Sequence, residues 1–388
     1  MMQLVKLQKP TSLFVFWFPL TKRFYRMRRQ GAILIGIKSF NLLYMVDEIT
    51  QENPKSEKSR LFCPLNRIRS EIFFSLVDYR NSYFTSDDPN KIVEFYNGFE
   101  NRDQLIQWMK ERPKGVSNMH EVDGDKDVIV VIPTADFNGK HAKECRDNIF
   151  KGLHIVFVES GGREDYYFNI AHNVNIAIKK AMEYNPKWIV FSGDDMVKVD
   201  DVLKLINELQ KIDNKNIDVV FTYPSGYHSS PMSLCKPNLL FSIALSVLKI
   251  FSKKFSYIEK IYYQLKRFNG KLFFPRYEYS SNLTYKIVNF IFFKRIENFI
   301  NTLSFAIFSS DFVRKSDNNV FDDIYINEME DTDLSLRIKN IKSNTSIVDF
   351  KINEYIGSSL GRGGTRTLRV VPSWTYFSCK MEKGDFDK

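Results

Sequence analysis

Two acidic clusters hold most of the chemistry available to this 388-residue chain. Gly193-Asp194-Asp195 follows the apolar run Trp188 to Ser192, and Glu330-Asp331-Thr332-Asp333-Leu334-Ser335-Leu336-Arg337 stands far downstream. A hard divalent cation takes carboxylate oxygens, and an attacking hydroxyl needs a proton acceptor. The first cluster therefore suits a cation holder and the second a general base, together one metal-dependent group-transfer site.

Residues so distant in sequence need a rigid frame to meet. Val128-Ile129-Val130-Val131-Ile132 is a continuous β-branched run of the kind expected for a buried parallel strand, opened by the turn Asp123-Gly124-Asp125-Lys126. Leu153 to Val158 and Trp188 to Phe191 read as further strands, with a helix over Ile170 to Tyr184 that stops before Pro186. Asp200 or Asp201 caps a helix whose Val202, Leu205, Ile206 and Leu209 share one face, and Ile217 to Thr222 supplies another strand. This βαβ rhythm predicts an α/β fold with a mainly parallel sheet and helices on both faces. Ligands of such sheets lie beyond the carboxyl ends of the strands, where Thr134 to Asn138, Glu159 to Gly162 and Gly193 to Met196 would share one pocket.

Three regions fall outside that rhythm. Residues 1–125 read as a mainly helical N-terminal extension, residues 126–375 as the α/β domain, and residues 376–388 as a C-terminal tail. Residues 236–298 hold 15 aromatics among 63 positions and read as a helical insertion, after which Phe299 to Ser309 resumes a strand-like pattern.

The net charge of +10 is segregated. Residues 1–60 carry 11 Lys/Arg against 4 Asp/Glu, and residues 236–298 carry 12 against 3, so the remainder is acidic. An acidic remainder argues against nucleic acid as a partner. Both basic regions are also apolar, as in Phe14-Val15-Phe16-Trp17-Phe18 and in Asn238 to Phe251, yet neither run reaches the roughly 20 residues that span a bilayer. A peripheral membrane contact is the expectation, with a buried helix bearing a solvated basic edge as its alternative. Cys63, Cys145, Cys235 and Cys379 have no C-x-x-C spacing, and together with the lack of a signal-peptide pattern they suggest the cytoplasm, at the inner face of the cell membrane.

The order Val131-Ile132-Pro133-Thr134, Val158-Glu159-Ser160-Gly161, Phe168-Asn169-Ile170-Ala171-His172-Asn173, Phe191-Ser192-Gly193-Asp194-Asp195 and Glu330 to Arg337 resembles family 2 glycosyltransferases, in particular the rhamnosyltransferase-like branch. The resemblance covers about residues 127–362 without the aromatic insertion. It implies the GT-A form of a Rossmann-like fold and an inverting transfer of sugar from a nucleotide-diphosphate donor to the hydroxyl of a glycan or lipid-linked saccharide.

By that resemblance Pro133, Thr134, Asp136, Glu159, Asn169 and Asn173 frame the donor, although Pro133-Thr134 could merely end a strand and Asn169 could cap a helix. Asp195, with Asp194, holds Mg2+ or Mn2+; Gly193 stands where the family has a further acid. Asp331 is the base, Glu330 and Asp333 are its neighbours, and Asp333 is the second candidate for its role. Arg337 pairs with an acid or with the diphosphate, and Arg362 and Arg366 could close over the diphosphate. The segment Asn353 to Ser359 stands where relatives carry a metal-site histidine, so Glu354 or Tyr355 takes that place. The departures at Gly193 and at the histidine keep a decayed, membrane-associated relative in view, and a nucleotidyltransferase of related fold is the other alternative.

Overall fold

The computed structural model describes residues 80–160, 167–222, 230–251, 253–268, 271–278, 283–301, 304–326, 328–354 and 368–386. After a helical stretch at residues 80–84 come two short helices, α1 (Pro89–Asn97) and α2 (Arg102–Glu111), each opened by a side-chain cap, from Asp88 and from Asn101. Next comes β1 (Asn118–Val122), in the region expected to be helical. Its residues Asn-Met-His-Glu-Val lack an apolar run because an edge strand needs only one covered side.

β2 (Asp125–Thr134), β3 (Leu153–Glu159) and β4 (Trp188–Ser192) then lie side by side and parallel, as their apolar runs require. Between β2 and β3 stands α3 (Lys140–Glu144), which runs into a π-turn at Cys145–Ile149; between β3 and β4 stands α4 (Ile170–Met182). The short β5 (Met196–Lys198) leads to α5 (Val202–Gln210), capped by Asp201, and then to β6 (Val219–Thr222).

The aromatic region carries three helices, α6 (Leu239–Phe251), α7 (Lys253–Phe268) and α8 (Leu283–Phe292). It is not purely helical. A three-stranded antiparallel sheet, in the order β8-β7-β9, is made by β7 (Ser230–Pro237), β8 (Phe274–Tyr277) and β9 (Phe293–Asn301). The strand-like stretch after residue 298 is therefore two strands in two sheets, because β10 (Phe305–Ser309) returns to the central sheet.

Helices α9 (Ser310–Lys315) and α10 (Glu330–Asn340), strands β11 (Thr345–Val348) and β12 (Ile352–Glu354), and α11 (Val371–Lys383) complete the chain. The expected C-terminal tail is instead the end of a docked helix, with Trp374, Phe377 and Phe386 buried.

The central sheet has seven strands in the order β1-β3-β2-β4-β10-β6-β11. Only β1 and β10 run against the other strands, so the fold is a mixed α/β one with a mostly parallel sheet, compatible with a Rossmann-like architecture. Alternate residues of β2 feed its two faces. Val128, Val130 and Ile132 pack with α5 and the π-turn, whereas Ile129 and Val131 pack with α4, α9 and α10. A third core joins α1 and α2 to the aromatic region and α11. Helix α10 sits between two of these cores, with Leu334 and Ile338 in one and Leu336 in the other.

Candidate functional site

Thr134 to Asn138 and Gly193 to Met196 follow the carboxyl ends of neighbouring parallel strands, as Ser160 follows β3, while Gly161 and Gly162 lie outside the described residues. Pro133 and Thr134 are buried at the end of β2, and the Thr134 hydroxyl donates to Asp194 Oδ2 at 2.8 Å. Asp194 is only 7% exposed, and the Cys145 thiol reaches its carbonyl oxygen at 3.3 Å. A hydrogen bond to a buried carboxylate contributes about 1.5–3 kcal/mol. Thr134→Val should therefore lower the folding free energy by about that amount in chemical denaturation and weaken whatever the Asp194 loop binds. Asp136 is exposed and folds its own loop, accepting from the Asn138 backbone at 2.8 Å.

Asp195 is half-buried and explains the glycine two residues before it. A Cβ at Gly193 would stand 3.1 Å from Asp195 Oδ1 and 3.3 Å from Met196 Cε, so a bulkier residue would crowd that carboxylate. Antiparallel pairing of β5 with β12 sets Glu354 opposite Met196, directly beside Asp195 in sequence register. Tyr355, Arg362 and Arg366 lie outside the described residues, as do the basic aromatic residues near the N-terminus.

Among the described residues, no group of three or more His, Cys, Asp or Glu side chains is arranged to hold a metal ion. The acids at hand suit only a cation that draws its other oxygens from a bound diphosphate and water, as magnesium commonly does.

Glu159, at the end of β3, is already engaged within the protein. Its Oε1 accepts from the Phe137 backbone at 3.2 Å, and its Oε2 lies 2.8 Å from His120 Nε2. The His120 and Phe137 rings stack at 4.2 Å, and the Arg146 guanidinium sits 4.7 Å from the Phe137 centroid. Glu159 thus fixes the shape of the loop after β2. His120 escaped the sequence reading because β1 itself did, and nothing in the spacing of Phe137 and Arg146 marks them.

Asn169 is the N-cap of α4, accepting from the His172 backbone at 2.9 Å, while its amide donates to the Asp323 carbonyl at 2.8 Å. Asn173 is fully covered and accepts from Ser117 at 2.9 Å. Both serve the placement of α4.

The second acidic cluster separates into two roles. Glu330 opens α10, after Glu328 and Met329, which both take left-handed conformations with φ of 89° and 73°. Consecutive non-glycine residues at positive φ are strained, and such strain concentrates at functional sites. Asp331 follows. Its carboxylate accepts from the Thr332 backbone at 2.6 Å and also bonds Asn301, yet burial outweighs these donors and pushes its pKa up to about 6.

Asp333 is placed differently. It has no exposed surface and accepts from Arg337 Nε at 2.7 Å, from the Tyr325 hydroxyl at 2.8 Å and from Lys380. A carboxylate so covered and so paired is an anchor; an acceptor hydroxyl could not reach it without opening the core. Arg337 likewise binds the acid through Nε, and its Nη2 donates to the Val320 carbonyl at 2.8 Å. The cleft that it borders, about 350 Å³ and lined by Asn175, Asn319, Phe321, Asp322, Asp323 and Lys380, includes neither Asp195 nor Asp331.

The two clusters are nevertheless linked by a short stretch of chain. Asn301, at the end of β9, touches Asp331 and accepts from Ser335 at 3.0 Å, while Ser304 accepts through its carbonyl from the Gly193 backbone at 2.9 Å. Three residues of chain span at most about 11 Å, so Asp331 and the Asp194–Asp195 loop are tied to points no farther apart than one sugar diphosphate is long. Asn301 carries no signal in the sequence, since its contact exists only through the returning strand. No protein-family model matches the chain, and no curated protein or solved structure is similar enough to assign it to a family.

Proposed function

We propose that this chain is an inverting glycosyltransferase that moves a sugar from a nucleotide-diphosphate donor to an acceptor hydroxyl on a glycan or lipid-linked saccharide. The observation that carries the reading is Asp331: a carboxylate whose pKa is pushed up to about 6, tied through Asn301 and Ser304 to the acidic loop after β4. A base with a pKa in that range is still ionised at neutral pH and is more basic than an ordinary aspartate. The finer fold reading, GT-A, rests on the resemblance and agrees with the mostly parallel sheet and the loops at its carboxyl edge.

In this reading Asp331 takes the proton of the acceptor hydroxyl as that oxygen attacks the anomeric carbon, and the bond to the nucleotide diphosphate breaks on the opposite side. Asp195, with Asp194 held by Thr134, would hold Mg2+ or Mn2+, and the Glu354 backbone pairs in register with Met196, the residue after Asp195. When bound, the cation neutralises charge that develops on the departing diphosphate. The protein groups supply position: Thr134 orients Asp194, Asn301 and Thr332 orient Asp331, and Glu159 holds the loop that would meet the nucleotide.

The test is calorimetric binding of nucleotide sugars with magnesium or manganese to wild type and Asp195→Ala. One donor should bind wild type with metal dependence, and Asp195→Ala should weaken it at least about tenfold, the loss of roughly 1.4 kcal/mol of interaction. Absence of binding for every donor, or equal metal-dependent binding by Asp195→Ala, would overturn the assignment.

A further inference from the structure

Helices α6 and α8 turn an apolar face outward. Along α6 the exposed residues are Leu239, Leu240, Ile243, Val247 and Ile250, and at about 100° per residue they fall within an arc of roughly 120°. Phe241 and Leu245, on the opposite side, are buried. On α8 the exposed residues Leu283, Ile287, Phe290 and Ile291 form a similar arc, with Phe290 88% exposed. The two helices are joined where Asn238 donates from its side chain to the Ile291 carbonyl at 2.6 Å and from its backbone to Phe292 at 2.9 Å, so Leu239 and Ile291 lie close together. Scattered exposed apolar residues are ordinary, but a contiguous patch built from two helices marks a contact surface.

Charge decides what covers it. Residues 236–298 carry 12 Lys/Arg against 3 Asp/Glu; Lys286 lies at the edge of the α8 arc, and the exposed Lys294 follows that helix directly. A second copy would oppose this excess with the same excess. The segment 1–60, with 11 Lys/Arg against 4 Asp/Glu, would also be repelled. An anionic surface is attracted by Lys286 and Lys294 at this face and accepts the apolar arcs.

We infer that α6 and α8 dock the protein on the surface of an anionic lipid bilayer, with their apolar arcs in the interfacial region and the basic side chains at the headgroups. None of the described helices is long and apolar enough to cross a membrane, which agrees with a helix pair lying in the interface. Strand β9, nine residues long, runs from the end of α8 to Asn301 beside Asp331. At about 3.3 Å per residue this sets the docked face within roughly 30 Å of the candidate base.

The experiment is co-sedimentation of the full chain with vesicles of phosphatidylcholine plus phosphatidylglycerol and with vesicles of phosphatidylcholine alone. Three proteins are compared: wild type, the triple variant Ile243→Ser, Ile250→Ser and Phe290→Ser, and the pair Lys286→Glu and Lys294→Glu. All replaced positions are exposed, and unchanged circular dichroism would certify the fold. Wild type should favour the anionic vesicles, and the triple variant should partition about tenfold less or weaker still. The charge variant should lose the preference for anionic lipid. Equal sedimentation of the triple variant and wild type would overturn the proposal. So would an absence of wild-type binding, whether accompanied by a dimer that the triple variant dissociates or by a monomer.

Discussion

Asp331→Asn should lower the rate of transfer by about 10²–10⁴-fold while leaving donor binding in place, because the amide keeps the shape of the carboxylate but cannot take a proton. The same substitution should make the protein more stable at pH 8. The sign follows from burial, which raises the carboxyl from its ordinary 3.8 to about 6 in the folded chain. A group that binds its proton more tightly when folded favours folding in acid, and that contribution disappears as pH rises through the folded pKa. Above pH 6 the ionised Asp331 therefore opposes folding, by at most about 3 kcal/mol for a shift of this size. Asparagine removes the opposition. Chemical denaturation at pH 4 and pH 8 checks this: the variant should gain on wild type only at the higher pH, and wild-type turnover should rise with pH through about 6. A variant that retains full activity, or that loses stability at pH 8, would remove Asp331 from the role of base.

Asp333→Ala should have a large effect of the opposite kind. Asp333 has no exposed surface, and its removal leaves Arg337, Lys380 and the Tyr325 hydroxyl without their shared carboxylate. Breaking a buried ion pair from one side costs about 3–5 kcal/mol. The lower end applies here, since the Arg337 side chain keeps 29% of its surface exposed. The midpoint of urea unfolding should fall accordingly, with an unchanged slope. The pairing also separates the two aspartates in kinetics: Asp333→Asn should keep measurable transfer in whatever fraction remains folded. A well-folded, inactive Asp333→Asn protein would instead make Asp333 the base.

The differing fates of these two acids show what is legible in a chain of letters. Asp194-Asp195 and Asp331 stand out in the sequence because each follows a recognisable pattern, an apolar strand in one instance and an acidic helix start in the other. Asp333 and Arg337 carry the same letters that any catalytic pair would. Only Tyr325, Lys380 and the Val320 carbonyl, brought in by other elements, make them an anchor. Glu159 was readable as an acid at a strand end, but its engagement with His120 depends on β1, a strand whose exposed edge leaves little apolar pattern. Residues 376–383 read as a tail although they end the last helix, because Phe377 lies in a segment whose partners, α2 and α7, are more than a hundred residues away.

Local rules thus determined the alternation of strand and helix, the caps at Asn169 and Asp201, and the loops at the carboxyl edge of the parallel strands, since each rests on side-chain periodicity and short-range hydrogen bonding within a few residues. Tertiary structure alone decided that Asn301 and Ser304 bridge the two acidic clusters, that burial rather than neighbouring donors sets the Asp331 pKa, and that two helices of the aromatic region leave an apolar face outside. Desolvation, chain return and surface coverage are properties of the packed whole, and no window of sequence contains them.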